Sequence, residues 1–365
     1  MGKRIIIAGG GTGGHIFPAI AIANALKKAD NSIEILFVGA KGKMEMEKVP
    51  QAGYKIEGLD IAGFNRSSLI KNTSLPFKLI KSFFQVRSIF KAFKPDAVIG
   101  VGGYSSFPVL RLAQSKGIPS FIHESNSFAG KSNILLGKKA TVVFTGTDGM
   151  EKFFPPEKIL VTGNPVRASI MQSTVSKAEG CEHFSLDEKK KTLLVIGGSL
   201  GAKSINEAID KHLDELLGAG LQLIWQTGKP YAAKAEASVA GKSAVWVNDF
   251  ITKMEYAYAA ADIVVARAGA MTVAELCVVK KPVLFVPYPY AAEDHQTVNA
   301  TQLVNKQAAL MVKDSEAIDK VVPMAIGLAA DENRQAELKK NIAALAITDA
   351  DKIIAEAILK KLNAK

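Results

Sequence analysis

Ile5-Ile6-Ile7-Ala8 runs straight into Gly9-Gly10-Gly11-Thr12-Gly13-Gly14-His15, and this junction carries the first residues that could do chemistry. A short β-branched run, far too short for a membrane span, reads as a buried parallel strand. The glycines let the backbone turn sharply and come close to a ligand. Pro18 and the spacing Ile20, Ala23, Leu26 then open a helix. Strand, glycine turn and helix start together present unpaired N–H groups and a positive helix end, which is a site for negative charge. A tight turn without a ligand is the other reading, but five glycines around one Thr exceed what a turn requires. His15 stands at the helix mouth, where a neutral imidazole suits proton removal near pH 7 or positioning of the group that reacts.

Gly9-x-Gly11-x-x-Gly14 also fits the dinucleotide fingerprint, a weak match on its own. A nicotinamide enzyme carries an acid at the end of its second strand to hold the ribose. Here the second strand, residues 33–39, runs into Ala40-Lys41-Gly42, and no acid waits there. That excludes the hydride-transfer class.

The elements needed to position such a turn recur along the chain. Residues 55–59 read as a third strand and 96–100 as a fourth, followed by Gly102-Gly103-Tyr104. A strand at 120–122 delivers His123-Glu124-Ser125-Asn126 at its carboxyl end, where open α/β sheets place ligands. Residues 141–145 close the series, and Phe153-Phe154-Pro155-Pro156 with Gly163-Asn164-Pro165 read as exit and linker. After an exposed charged segment near 187–191 the design restarts, with a strand at 192–196, a glycine turn at 197–202 and a helix from Ser204. Strands follow at 221–225, 244–247, 262–266 and 282–286, with a loop-to-helix corner at 267–275. Residues 349–361 form an amphipathic tail helix. The expected fold class is α/β: two Rossmann-like, doubly wound parallel-sheet domains facing each other across a cleft. The expected domains are residues 1–163, 164–348 and a terminal helix at 349–365.

Of the net charge of +11, all lies in residues 1–163, which hold 22 Lys and Arg against 11 Asp and Glu. That half should face something anionic. Residues 61–95 contain no acid, yet carry Arg66, Lys71, Lys78, Lys81, Arg87, Lys91 and Lys94. Leu79, Phe83, Val86, Phe90 and Phe93 form one helical stripe that should pack on the sheet. Leu69, Ile70, Leu75, Phe77, Ile80 and Phe84 are left over, and with Lys71, Lys78 and Lys81 they suit docking on an anionic membrane surface. No reader motif accompanies the patch, so nucleic acid is not expected. No leader pattern and no apolar segment of ~18 residues are found, so neither secretion nor a transmembrane span is expected. Cys181 and Cys277 match no metal spacing, which fits a reducing, cytoplasmic setting.

Six motifs occur in order: Gly10-Gly11-Thr12-Gly13-Gly14-His15, Gly102-Gly103-Tyr104, His123-Glu124-x-Asn126, Gly163-Asn164-Pro165-Val166-Arg167, Gly197-Gly198-Ser199-x-Gly201 and Thr272-Val273-Ala274-Glu275. In this the chain resembles, end to end, the MurG-type N-acetylglucosaminyltransferases of glycosyltransferase family 28. The resemblance implies the GT-B fold and inverting transfer of N-acetylglucosamine from UDP-N-acetylglucosamine to the 4-hydroxyl of the muramyl sugar of undecaprenyl-linked lipid I. The product would be lipid II, for peptidoglycan synthesis, cell shape and division, made at the cytoplasmic face of the bacterial membrane. It also implies a donor held mainly by the second domain, an acceptor held by the first, and a last helix that returns to the first.

Carried over by motif, Thr12, Gly13, Gly14 and Asn126 would touch the donor sugar, and Arg167 and Ser199 would serve the nucleotide and its diphosphate. Ile251 would offer backbone to the uracil. Ala270, Met271, Thr272, Val273, Ala274 and Glu275 would bind diphosphate and ribose, with Glu275 on the ribose hydroxyls. Gln296 would bind sugar hydroxyls; Thr297 departs from the second Gln of many relatives, which puts one sugar contact in doubt. Gly103 and Tyr104 would face the acceptor. His15 is the candidate base. Glu124 is read first as holding its loop and second as a catalytic carboxylate. Arg267 is expected to pair locally and His295 to cap a helix. The sole Asp-x-Asp, Asp349-Ala350-Asp351, reads as a helix cap, so glycine turns and helix ends would stabilise the leaving diphosphate without a metal or other cofactor. The competing readings are another GT-B enzyme, such as a glycolipid synthase or a UDP-N-acetylglucosamine 2-epimerase, and a non-catalytic nucleotide-sugar-binding module.

Overall fold

A computed structural model describes residues 2–63, 73, 75–198, 200–291 and 294–364. The chain divides into two units, Met1–Arg167 with Asp349–Lys365, and Ala168–Thr348.

The first unit is built on seven parallel strands: β1 (Arg4–Ala8), β2 (Glu34–Ala40), β3 (Lys55–Leu59), β4 (Ala97–Gly100), β5 (Ser120–Glu124), β6 (Val142–Thr145) and β7 (Ile159–Val161). Their order is β3-β2-β1-β4-β5-β6-β7. Ile5, Ile6 and Ile7 are fully buried, because both faces of a doubly wound sheet are covered and a continuous apolar run fits. The order reverses between β1 and β4, and the two glycine turns follow those two strands. Such a switch point is where open sheets bind ligands.

Among the described residues, five α-helices precede the linker: α1 (Gly13–Ala29), α2 (Glu45–Gln51), α3 (Leu75–Phe93), α4 (Ser106–Ser115) and α5 (Lys131–Gly137). α1 begins well before Pro18, which therefore lies inside it and leaves the Gly14 carbonyl without its intrahelical donor. The last helix, Ala350–Asn363, packs Ile354, Ala355, Ile358 and Leu362 into the same core cluster as Ile16, Ile22 and Leu26 of α1. Lys3 Nζ donates to the Leu362 carbonyl at 3.0 Å. Asp349 takes the cap position of that helix but makes no side-chain cap bond.

α3 corrects part of the expected stripe. Ser82, Val86 and Phe90, spaced i, i+4, i+8, are its buried residues. Phe83 and Phe93 are half-buried, and Leu79 is exposed. The sheet-facing place one turn before Val86 belongs to Ser82, whose hydroxyl donates to the Leu79 carbonyl at 2.6 Å. β7, a three-residue strand between the two exit motifs that no sequence pattern marks, pairs with β6 at Val143–Ile159 and adds an edge to the sheet.

The second unit repeats the plan with β8 (Thr192–Ile196), β9 (Gln222–Gln226), β10 (Val245–Asn248), β11 (Ile263–Ala266), β12 (Val283–Phe285) and β13 (Leu310–Met311), in the order β10-β9-β8-β11-β12-β13. All pairs are parallel. The switch point lies between β8 and β11, again beneath a glycine turn and a loop-to-helix corner. β13, with two residues, had no periodicity to be read from. Among the described residues, no helix is long and apolar enough to cross a membrane.

Candidate active site

In the first unit the two glycine turns touch backbone to backbone. The Gly10 amide donates to the Gly102 carbonyl at 3.3 Å. A side chain at either position would collide: a Cβ on Gly10 would stand 2.3 Å from the Glu45 carboxyl carbon, and one on Gly102 (φ +95°) 2.8 Å from His15 Cδ2 and Nε2. The His15 ring therefore rests on a bare peptide. Its Nδ1 lies 3.0 Å from the Gly10 carbonyl oxygen. A carbonyl only accepts, so the neutral ring carries its proton on Nδ1 and Nε2 keeps a free lone pair. That is the tautomer a general base requires.

Glu45 was not foreseen. It is fully buried. One carboxylate oxygen accepts the Ala40 amide at 2.9 Å and the other the Gly11 amide at 2.8 Å. The acid missing from the end of β2 thus arrives from the start of α2, and it binds backbone. Two charge-assisted bonds clamp the turn to the sheet. They also remove the Gly11 amide from any ligand and place a fixed negative charge behind the turn. The expectation of a plain anion cradle is corrected accordingly: the free amides of this turn are those at the start of α1, Gly13 and Gly14. Nothing in the sequence singles Glu45 out from Glu47, two residues on.

Glu124, at the end of β5, is 4% exposed and surrounded by donors. It accepts the Asn126 amide (3.1 Å), Asn126 Nδ2 (3.3 Å), the Gly130 amide (3.1 Å) and Asn133 Nδ2 (2.8 Å). With both oxygens occupied, it holds the loop that presents Asn126. Tyr104 is half-buried beside Gly63 and Gly11, and burial, aided by Glu45, pushes its phenol above the ordinary value. Thr12 is exposed at the N-cap of α1 without a side-chain cap bond. Gly103 backs onto the Gly10 backbone. Arg167 stacks over the Phe17 ring at 4.7 Å.

In the second unit, the helix Ala270–Val279 starts at Gly269 with no acid in its first turn, so its leading amides are available to an anion. Ala270, Thr272, Val273 and Ala274 are half-buried, and Met271 is buried. Glu275 is buried too, and accepts the Tyr258 hydroxyl at 2.9 Å; Tyr258, on the helix Met254–Ala260, had no signal beyond an apolar context. Ile251 is 3% exposed. Gln226 Nε2 joins the Gly198 carbonyl (2.8 Å) to that of Asp249 (3.2 Å), tying the glycine turn to the loop of Ile251. Ser199 lies outside the described residues.

Arg267 pairs locally. It donates to Val286 O (2.9 Å), Pro287 O (3.1 Å), Asp314 Oδ1 (2.5 Å) and Ser204 Oγ (3.0 Å). Gln296 Oε1 accepts the Tyr288 amide at 3.0 Å. The cap position expected of His295 is held by Asp294, and Thr297 Oγ1 donates to Asp294 Oδ1 at 2.7 Å. Thr297 is thus spent on the helix start.

The docking residues are split. Phe77, Ile80 and Phe84 are 77%, 56% and 65% exposed, Lys78 is exposed and Leu75 is half-buried. Leu69, Ile70 and Lys71 lie outside the described residues. Lys81 is not a free cation: it pairs with Asp60 at 2.9 Å, while Lys41 takes the other oxygen at 3.0 Å, and the two hold that carboxyl down at about 2. Asp60 stands just before the acid-free stretch and neutralises part of it. Among the described residues, no group of three or more His, Cys, Asp and Glu could hold a metal ion.

Two doubly wound parallel-sheet units, each with a glycine turn and an open helix start at its switch point, define an α/β protein built for a nucleotide-linked ligand. Residues 5–145 match the glycosyltransferase family 28 N-terminal domain and residues 192–355 its C-terminal domain. The chain belongs to glycosyltransferase family 28. It is 50% identical over 360 residues, 98% of this chain and 96% of the relative, to the UDP-N-acetylglucosamine--N-acetylmuramyl-(pentapeptide) pyrophosphoryl-undecaprenol N-acetylglucosamine transferase of Phocaeicola vulgatus. The enzyme of that name from Parabacteroides distasonis is 49% identical, with 99% of each chain covered. Among solved structures, Acinetobacter baumannii MurG aligns with a TM-score of 0.76 and 30% identity, over 98% of this chain and 99% of that one.

Behind the first unit's site lies His123, fully buried on β5. Burial pulls its imidazole down to about 4, with His15 adding to the effect and the Gly163 backbone opposing it. Its unfolded value is about 6.5. Above pH 6.5 both states are neutral; as pH falls from 6.5 toward 4, the unfolded chain takes up a proton that the folded one refuses, and stability drops. His123→Gln should remove that component. Between pH 7 and pH 5 the wild type should lose ~2 kcal/mol more than the variant, read from thermal midpoints at both pH values. Parallel losses would show that His123 is not held neutral.

Proposed function

We propose that the chain transfers N-acetylglucosamine from UDP-N-acetylglucosamine to the 4-hydroxyl of the muramyl sugar of undecaprenyl-pyrophosphoryl-MurNAc-pentapeptide, with inversion at the anomeric carbon. The observation that carries this reading is identity near one half, along almost the whole chain, to transferases named for that reaction. The second unit takes the nucleotide: Glu275 accepts from the ribose hydroxyls, the Ile251 backbone meets the uracil, and Gln296 meets the sugar. The start of the helix Ala270–Val279 takes the diphosphate, and Arg167 and Ser199 are assigned to the nucleotide and its diphosphate by the same likeness. Thr12, Gly13, Gly14 and Asn126 serve the transferred sugar, and Gly103 and Tyr104 the acceptor.

In the reaction, His15 Nε2 takes the proton of the acceptor hydroxyl. The freed oxygen lone pair forms the bond to the anomeric carbon, and the bond from that carbon to UDP breaks, its electron pair leaving on the diphosphate. Amide dipoles preset at helix starts stabilise that charge without reorganisation, and the proposal includes no metal. Glu45 contributes indirectly, by clamping the turn that precedes His15 to the sheet.

The test is the full chain with sugar-labelled UDP-N-acetylglucosamine and a short-chain lipid I analogue in excess EDTA. Labelled disaccharide-lipid and free UDP are expected. A 2-epimerised sugar nucleotide, no product, or product only after divalent metal is restored would contradict the reading. In the same assay Glu275→Gln keeps an acceptor for Tyr258 but loses the charge on the ribose, and should raise the KM for UDP-N-acetylglucosamine about tenfold. An unchanged KM would remove Glu275 from the donor site.

The acceptor is a lipid, and the proposal places the enzyme peripherally at the cytoplasmic face of the membrane. Phe77, Ile80 and Phe84 enter the anionic surface and Lys78 stays with the headgroups, together with Leu69, Ile70, Leu75 and Lys71; Lys81 remains with Asp60. Phe77→Ser/Ile80→Ser/Phe84→Ser should cut sedimentation with phosphatidylglycerol vesicles at least tenfold, because burying even one such side chain is worth ~1.5–3 kcal/mol. Binding equal to wild type would put the docking face elsewhere.

A further inference from the structure

At the pole of the first unit opposite the glycine turns, at the amino ends of β1, β4 and β5, a cavity of about 820 Å³ opens. Arg4, Arg87, Lys91, Lys94 and Lys116 line it, over a floor that includes Phe90, Pro95 and Ile118. Among the described residues none of these five cations pairs with a carboxylate. Asp96 is the one acid in the lining, and its Oδ2 already accepts the Arg4 amide at 2.7 Å.

The cations come from separate elements brought together by the fold. Arg87 and Lys91 are i, i+4 on α3. Lys94 ends that helix in the left-handed region (φ +51°), which turns the chain toward Pro95. Lys116 takes the C-cap of α4, and Arg4 opens β1.

Cations at helix C-termini have an ordinary use, and two helices end here. Each carbonyl end counts for about half a negative charge. Five cations less one carboxylate and two helix ends leave roughly +3, far more than the helix ends need. Like charges held together without counter-charges concentrate anions, and Arg87 supplies a planar fork that fits phosphate oxygens.

We infer that this cavity is a second anion site, for a phosphate or diphosphate group, distinct from the transfer site and independent of the reading given for it. The group could belong to a soluble phosphate compound or to a phospholipid head. Arg87, Lys91 and Lys94 continue, at helical spacing, the exposed row Phe77, Ile80, Phe84 on α3, so the second source would meet the cavity from the docking face.

The test compares wild type with Arg87→Gln/Lys91→Gln/Lys116→Gln and with a charge-matched control, Arg111→Gln/Lys138→Gln/Lys139→Gln, whose three cations are exposed elsewhere on the same unit. One arm titrates inorganic pyrophosphate calorimetrically with UDP saturating the donor site. The other sediments the proteins with phosphatidylglycerol or phosphatidylcholine vesicles. UDP affinity and thermal midpoint verify folding. The cavity variant should lose at least tenfold in one arm while the control holds within twofold. Loss confined to pyrophosphate assigns a soluble ligand, and loss confined to anionic vesicles assigns a lipid head. Equal behaviour of wild type and cavity variant in both arms, equal loss in the control, or no binding by wild type would each overturn the inference.

Discussion

The contact on which the first unit's chemistry depends is the meeting of two peptide backbones, Gly9-Gly10 after β1 and Gly102-Gly103 after β4. The strand order reverses between β1 and β4, so their loops leave in opposite directions and a crevice opens. Here the loops lean back across it until the Gly10 amide reaches the Gly102 carbonyl. Nothing larger than hydrogen fits at the junction. The glycines are thus required by the fold itself, before any ligand enters the crevice.

A second regularity is that buried charge, where it occurs near a switch point, serves the loops. Glu45 clamps the first turn, Glu124 collects four donors of its own loop, and Arg267 gathers carbonyls, a carboxylate and a hydroxyl from three segments. Burying an unpaired charge costs several kcal/mol, and each of these is fully engaged. Such groups fix a loop in one geometry, which is what a transfer reaction needs when most of its barrier reduction comes from preset dipoles and position.

Much of this was legible in the sequence. The β-branched and apolar runs at Ile5-Ile6-Ile7 and Leu193-Leu194-Val195 read as buried parallel strands, and glycine turns after them locate the switch points; the two-sheet α/β fold followed from the repetition of that pattern. What stayed hidden involves single residues acting across the fold. Glu45 lies far from Gly11 in sequence, Gln226 joins two loops that no pattern links, and Tyr258 meets Glu275 between two helices. Lys81 looked free because its partner Asp60 sits just outside the window that had no acid. Short edge strands such as β7 and β13 bury too little to leave a periodic mark.

The central claim is that bare backbone at Gly102 is what seats the His15 ring with Nε2 free. Its most direct measurement is the steady-state rate of Gly102→Ala with UDP-N-acetylglucosamine and a lipid I analogue, beside the affinity of the same variant for UDP. A methyl group there must displace the ring, so turnover should fall at least a hundredfold while UDP, proposed to bind the second unit, binds within twofold of wild type. Turnover within a few fold of wild type would contradict the account.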